Sequence, residues 1–284
     1  IFYYLRVKPK VVLNFNPKAC IYSSIACRLL GIRFVNNISG LGRVRLGKGI
    51  LGKLVFYLYK FTQNKARAVF FQNPDDLDTF IKTGLVQKNK AILLKGSGVD
   101  LSRFTPKESK NDGFVDFLLI SRMIEDKGVF HFIDAAKLLN EKYSNVRFYL
   151  LGPLESETHS GISRDTIQEW ENKKIVKYLG VSERVEDQIA LMDCIVLPSF
   201  YGEGVPRVLL EGAAMAKPLI TTDNIGCKET VEHGSTGFLC QPEDTKDLVS
   251  QMENIILMSH DDRLQMGHLG RQKIENEFDE RLII

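Results

Sequence analysis

The feature that most constrains this chain is a repeated alternation. Short apolar runs of strand length are each followed by a segment with helical periodicity. In the first series, VVLNF (11–15) reads as a strand and residues 19–30 as a helix stopped by Gly31. IRFVNNIS (32–39) is a strand, 50–66 a helix, AVFFQ (68–72) a strand, DDLDTFIKTG (75–84) a short helix and AILLKG (91–96) a strand. TPKESKNDG (105–113) is polar and turn-forming and reads as a linker. A second series then begins with FVDFLLIS (114–121) and the amphipathic segment KGVFHFIDAAKLLNEKY (127–143), which puts Phe130, Ile133, Ala136 and Leu138 near one face. VRFYLLG (146–152), IVKYLG (175–180), CIVLP (194–198) and PLITT (218–222) follow as strands with helices between them, and helices are expected over 244–258 and 260–277. Strand–helix alternation of this kind demands parallel sheets covered by helices on both faces. The expected fold is therefore α/β, with two Rossmann-like domains at residues 1–105 and 106–284. The chain opens at Ile1 on a strand-like stretch with no lead-in, so the first domain is expected to be incomplete at its start. Ligands of such folds bind at the carboxyl ends of the strands.

Charge divides along the same boundary. The net charge of +3 hides 20 Lys and Arg against 5 acids in residues 1–110, and 18 against 30 in residues 111–284. The first acid is Asp75. A basic half of this kind implies an anionic partner, such as a membrane surface, a phosphorylated substrate or nucleic acid. No apolar run reaches membrane-spanning length, and no signal-peptide pattern is present. Cys20, Cys27, Cys194, Cys227 and Cys240 form no CxxC pair and sit among apolar neighbours, which fits buried, reduced thiols in a cytoplasmic protein.

Two strand ends carry the chemistry. After FVDFLLIS comes SRMIEDKG, with Arg122 and Lys127 ahead of a helix that starts near Gly128. Two cations at a strand end and a helix N-terminus can hold an anion. The competing account is a solvated loop in which Lys127 pairs with Asp126 or Glu125. After CIVLP comes SFYGEGVPRVLLE, where Gly202 and Gly204 allow close backbone approach and Pro206 suits the first turn of a helix. The N–H groups of Gly204 and Val205 would point out of that helix start. Complementing the helix dipole explains Glu203 cheaply. It does not explain Glu211, a charge in the apolar, small-residue helix VLLEGAAMA that needs a partner.

E-x(7)-E after one strand, with R-x(4)-K at an earlier strand end, resembles the retaining glycosyltransferases of family 4, which have the GT-B fold. KGSGVDLSRF (95–104), NNISGLG (36–42) and KPLITTDNIGCKETVEHGSTGFL (217–239) extend the resemblance over most of the chain. NISGLG and PRVLLEGAAMAKP look most like bacterial members that extend lipid-linked or surface polysaccharides. The resemblance implies a nucleotide-sugar donor, expected to be a UDP-sugar, with Arg122 and Lys127 on its diphosphate. It implies Glu211 on the ribose hydroxyls and Glu203 on the transferred sugar, aided by Gly204 and Val205 beside Pro206. Ser39, Gly40 and Gly42 would lie on the acceptor side. The implied acceptor is a polyprenyl-diphosphate-linked saccharide at the inner face of the cell membrane, met through the basic first half. No cofactor and no metal are expected, since the Asp75-Asp76 pair starts a helix and no other DxD-like loop suits a cation. The glycine-rich loop and early His usual in the family are missing, because no His precedes His131.

Other features point elsewhere less strongly. GKGILG (47–52) matches GxGxxG but lacks a convincing strand before it and an acid after the next strand. RVRLGKGILGKLVFYLYKFTQNKAR (43–67) holds seven cations and no acid, and reads either as an interfacial helix or as a helix with one buried and one solvated face. His131 reads as a packed helix residue. Two competing functions stay open: a GT-B nucleotide-sugar epimerase, and a non-catalytic nucleic-acid module built on the basic half, though no nucleic-acid partner is expected.

Overall fold

A computed structural model describes residues 1–41, 49–107, 111–155 and 160–283. Two compact units emerge, one of residues Ile1–Ser97 with Gly202–Val205, the other of Gly98–Tyr201 with Pro206–Ile284. Residues 98–105 therefore belong with the second unit, whereas the turn-rich stretch had placed the division at 105/106.

The first unit is a four-stranded parallel sheet, β1 (Val11–Asn14), β2 (Arg33–Ile38), β3 (Val69–Phe71) and β4 (Ala91–Leu93), in sequential order. Its helices are α1 (Phe2–Val7), α2 (Pro17–Leu30), α3 (Gly49–Gln63) and α4 (Pro74–Lys82). The opening residues form α1 and not a strand. This short helix buries none of its residues, so no periodic pattern marks it. Asn16 and Asn73 cap α2 and α4, accepting the N–H of Ala19 and Asp76, and each is followed by a proline whose missing N–H costs nothing there. Asn14, Ser24, Asn36 and Gln63 are buried, and Asn36 ties them together by bonds of 2.7–3.1 Å across β1, β2, α2 and α3. A buried polar network this well satisfied fixes register as well as adding stability.

The second unit is a six-stranded parallel sheet of order β10-β9-β8-β5-β6-β7. Its strands are β5 (Val115–Ile120), β6 (Val146–Leu151), β7 (Lys177–Tyr178), β8 (Cys194–Leu197), β9 (Leu219–Thr222) and β10 (Gly237–Cys240). Its helices are α5 (Val129–Lys142), α6 (Arg164–Asn172), α7 (Val185–Ala190), α8 (Arg207–Ala214), α9 (Thr245–Leu257) and α10 (His260–Glu277). Every residue of β8 and β9 is buried, as expected of strands covered on both faces. Asp116 sits inside β5 because Arg147 on β6 grips it twice, at 2.5 and 2.7 Å. Burial on α5 falls on Val129, Phe132, Ile133, Ala135, Ala136 and Leu139. Phe130 and Leu138, expected on that face, are exposed, and Phe130 instead meets the edge of Trp170.

Candidate functional site

In the second sheet the strand order reverses between β5 and β8: successive strands step outward as β5, β6, β7 on one side and as β8, β9, β10 on the other. A crevice opens at the carboxyl ends of two such strands, and it is the standard ligand position of doubly wound sheets. Both motif-bearing loops leave from those two strand ends.

The loop after β5 is held from several sides. The Ser121 and Met123 amides donate to Leu151 and Pro153, and Glu125 N–H donates to Ser160. A Cβ on Gly152 would lie 1.9 Å from the Ser121 carbonyl oxygen, so that approach requires glycine. Arg122 is thus presented on a fixed backbone, its side chain half exposed and 3.6 Å from Glu155. A short 3-10 turn at Glu125–Lys127 carries Lys127, whose ammonium stands 5.5 Å from the centre of the Tyr201 ring. α5 starts at Val129, one residue after the expected Gly128. Gly128 is left-handed at φ 74, and a Cβ there would lie 2.1 Å from the Pro198 carbonyl oxygen. The two loops are therefore locked together at Gly128.

The loop after β8 is equally pinned. Asp126 O accepts from Phe200 N–H and Ser199 Oγ, Thr222 Oγ1 donates to Ser199 O, and Asn224 Nδ2 donates to Tyr201 O at 2.9 Å. His131 packs as expected, bonding Thr245 Oγ1 through Nδ1 at 2.8 Å and standing edge-on to Phe200. α8 begins at Arg207, so Pro206 is its N-cap residue and not part of its first turn. Glu211 lies one turn into α8 with its side chain 14% exposed, and its partner is Arg207 at 3.6 Å. Desolvation pushes its carboxyl above the ordinary range, with Arg207 and Arg103 pulling the other way.

Glu203, Gly204 and Val205 cluster with the first unit. Asn73 Nδ2 donates to the Glu203 carbonyl at 3.3 Å. A Cβ on Gly204 would lie 2.2 Å from Gln72 Oε1 and 3.1 Å from the Ser39 carbonyl carbon. One on Gly40 would come within 2.7 Å of the backbone at Gly202, Glu203 and Gly204. Ser39, Gly40 and the Glu203–Val205 segment thus meet in one place, while Gly42 lies outside the described residues. Part of GKGILG and of the 43–67 stretch, and His159, also lie outside them. Sequence reasoning missed Tyr201, Asn224, Gln72 and Asn73. Asn224 follows the end of β9 and Asn73 the end of β3, and that position was the available signal.

All five cysteines are buried, and burial raises Cys20 and Cys240 to about 12, which leaves inert thiols. Among the described residues no cluster of His, Cys, Asp or Glu is arranged to hold a metal, and no helix is long and apolar enough to cross a membrane.

The capsular polysaccharide biosynthesis glycosyltransferase CapM of Staphylococcus aureus is 28% identical over 295 aligned residues, covering 97% of this chain and 74% of CapM. The N,N'-diacetylbacillosaminyl-diphospho-undecaprenol alpha-1,3-N-acetylgalactosaminyltransferase of Campylobacter jejuni is 29% identical, covering 87% of this chain and 66% of its own length. Among solved structures, Anabaena HepE in complex with UDP and glucose superposes with a TM-score of 0.79 at 18% identity, covering 99% of this chain and 77% of HepE. That likeness shows the fold, which is the GT-B fold. The family description "Glycosyl transferases group 1" matches residues 115–257, just over half of the 284 residues and nearly all of the second sheet with its motif loops. The chain belongs to the glycosyl transferases group 1.

Proposed function

We propose that this chain belongs to a retaining glycosyltransferase that moves a sugar from a nucleotide-sugar donor, a UDP-sugar, to a polyprenyl-diphosphate-linked saccharide during polysaccharide biosynthesis. The work is done at an anionic membrane surface on the cytoplasmic side. The observation that carries this reading is the placement of two cations, on the pinned backbone of the loop after β5, and of a desolvated carboxylate, on the helix after β8, at the two strand ends of the β5/β8 switch. The names of the relatives support it further. CapM is named for capsular polysaccharide, the Campylobacter enzyme for a diphospho-undecaprenol acceptor, and HepE was crystallised with UDP and glucose.

Transfer breaks the bond between the anomeric carbon and the diphosphate oxygen, and the bonding pair leaves with the diphosphate. Arg122 and Lys127 meet that growing charge, which favours the transition state over the bound donor. The Arg122–Glu155 pair is long and half exposed, and such pairs are worth at most about 1 kcal/mol. A diphosphate carries more charge and takes the guanidinium over. Glu211 accepts from the ribose hydroxyls, and Glu203 with the amides of Gly204 and Val205 holds the transferred sugar. The acceptor hydroxyl forms the new glycosidic bond and gives up its proton to the departing phosphate oxygen. Retention means that the anomeric configuration of the donor survives in the product.

The test is nucleotide release by the full-length protein over a panel of UDP-, GDP- and ADP-sugars, with product configuration read by NMR. Arg122→Ala should lower kcat by roughly 10²–10³-fold, the loss typical of one transition-state donor, and Glu211→Ala should lower kcat/KM about tenfold or more, mainly by raising KM, because ribose is held equally in the bound donor and the transition state. Undiminished kcat/KM in both variants, with the fold intact, rules the reading out.

A further inference from the structure

α3 is apolar on the face that points away from the protein. Gly52, Tyr59, Thr62 and Gln63 are buried on one side of it. On the other, Ile50, Leu54, Tyr57 and Phe61 recur at the i, i+4, i+7, i+11 spacing of a single face, with exposures of 92, 55, 65 and 48%. A helix of a soluble unit ordinarily turns charged residues outward. Here the exposed polar residues are the cations Lys53 and Lys60, which flank the apolar stripe along one edge. An arc of aliphatic and aromatic side chains bordered by lysines is the make-up of a helix lying in a membrane interface.

A second observation lies at the far end of the same stripe. Arg28 on α2 stacks over the Phe61 ring at 3.7 Å and donates to the Phe61 carbonyl. It also lines a shallow cavity of about 540 Å³ together with Arg33, Lys65 and Arg67. Four cations line this cavity and no acid does. Among the described residues Arg33, Lys65 and Arg67 take part in no ion pair with an acid, and no acid occurs in the chain before Asp75. Four like charges gathered without a counter-charge repel one another, and an anion from outside would relieve that repulsion.

We propose that α3 and this cavity form one docking face for the headgroup layer of an anionic bilayer. Ile50, Leu54, Tyr57 and Phe61 enter the boundary between headgroups and acyl chains, and the cavity takes a lipid phosphate. The charge complementarity selects this occupant. A protein partner for so basic a rim would need a dense acidic patch around an apolar ridge, whereas an anionic bilayer presents both layers at the required depths. Single-stranded nucleic acid would match the charge but finds nothing to stack on at Ile50 or Leu54. The proposal deepens the lipid-linked acceptor reading by naming where the protein meets the surface that carries such an acceptor, and its evidence is independent of the donor site.

The experiment is co-sedimentation of the full chain with vesicles of roughly one part phosphatidylglycerol to two parts phosphatidylcholine, beside vesicles of phosphatidylcholine alone. Binding should need the anionic lipid and weaken as salt rises from roughly 0.1 to 0.5 M. Ile50→Ser with Leu54→Ser should lower partitioning about tenfold or more, through lost burial of aliphatic groups. Arg33→Gln with Lys65→Gln and Arg67→Gln should lower it by about fivefold per cation. All five positions are exposed or at the cavity rim, so the far-UV spectrum and UDP affinity should stay at parent values. Leu54→Trp supplies a readout that does not depend on loss: its emission should shift to the blue on adding anionic vesicles. Parent-like partitioning of both variants, or no shift at position 54, overturns the proposal. So does a parent that ignores vesicles and dimerises, with Ile50→Ser/Leu54→Ser returning it to monomer in light scattering. Vesicle binding and nucleotide release are read separately, so a failed docking face leaves the transfer reading standing, and a failed transfer reading leaves the docking face standing.

Discussion

At the scale of single residues, Glu211 holds a carboxylate where the helix would be better off without one. Desolvation raises its pKa in the folded chain, and its Arg207 partner is largely exposed and returns at most about 1 kcal/mol. A carboxyl raised on folding contributes stability at low pH, and that contribution is lost as pH climbs from the ordinary Glu value of about 4.3 toward the raised one. Glu211→Gln should therefore melt at or above the parent temperature at pH 7, with the difference shrinking toward pH 4. Its UDP affinity should nonetheless fall about tenfold or more, because an amide accepts more weakly from ribose hydroxyls. Calorimetric melts and UDP titration on the same samples check both halves, and parent-like affinity would remove Glu211 from the site. Asp76, buried at the start of α4, is a structural counterpart. Burial raises it to about 6, against the Asn73 side chain, which lowers it. The same sign applies, so its ionisation costs stability as pH rises from about 4 to 6. Asp76→Asn should gain stability over the parent at pH 8 and match it at pH 4, which urea melts at the two pH values decide.

At the scale of elements, the site depends on how closely two loops approach. Gly128 must be left-handed and must also leave room for the Pro198 carbonyl, whereas Gly180 has a similar φ of 74 with nothing within 4 Å of its would-be Cβ. Ala at position 180 should cost only the backbone term of about 1–2 kcal/mol and leave UDP affinity unchanged. Ala at position 128 carries the same term plus a clash that forces the β5–α5 loop off the end of β8, so it should lose more stability and also UDP affinity. Equal effects at the two positions would show that the contact at Gly128 does not set the loop geometry. The same elements show what was legible in the sequence. Apolar runs such as FVDFLLIS and CIVLP announce β5 and β8 because strands buried on both faces read as nearly continuous apolar runs, Asp116 being the exception that Arg147 pairs. α1 was not legible because it is short and exposed, and neither was the Gly-containing β10, GFLC. The cations at Arg122 and Lys127 could be placed because a strand end and a helix start bracket them. That Gly40 and Gly204 share one spot, and that Asn73 reaches Glu203, could not be read, because those contacts join residues more than a hundred positions apart. The misplaced Phe130 and Leu138 have a similar cause: periodicity gives a face, and only tertiary packing says which flank of it meets the core.

At the scale of the whole molecule, each unit has its own core. One is built around Phe34, Phe71 and Phe80, the other around Phe117, Phe132 and Phe148. The donor reading assigns the nucleotide to the switch point of the second sheet, so the nucleotide should stabilise mainly that core. A ligand that binds only the folded state slows exchange through global opening by its binding free energy, about 2.7 kcal/mol at a hundred times Kd, or roughly a hundredfold. Amide hydrogen exchange of the full chain with saturating UDP should then slow about a hundredfold at the slowest amides of β5 and β8, such as Phe117 and Val196. Those of β2 and β3, such as Phe34 and Phe71, should change less than about threefold if the two cores open separately. GDP and ADP in place of UDP should give smaller effects in the order of their affinities. Equal slowing in both sheets would mean that the units unfold as one cooperative body. Slowing confined to the first sheet would put the nucleotide somewhere other than the β5/β8 switch, and would remove Arg122, Lys127 and Glu211 from its path together.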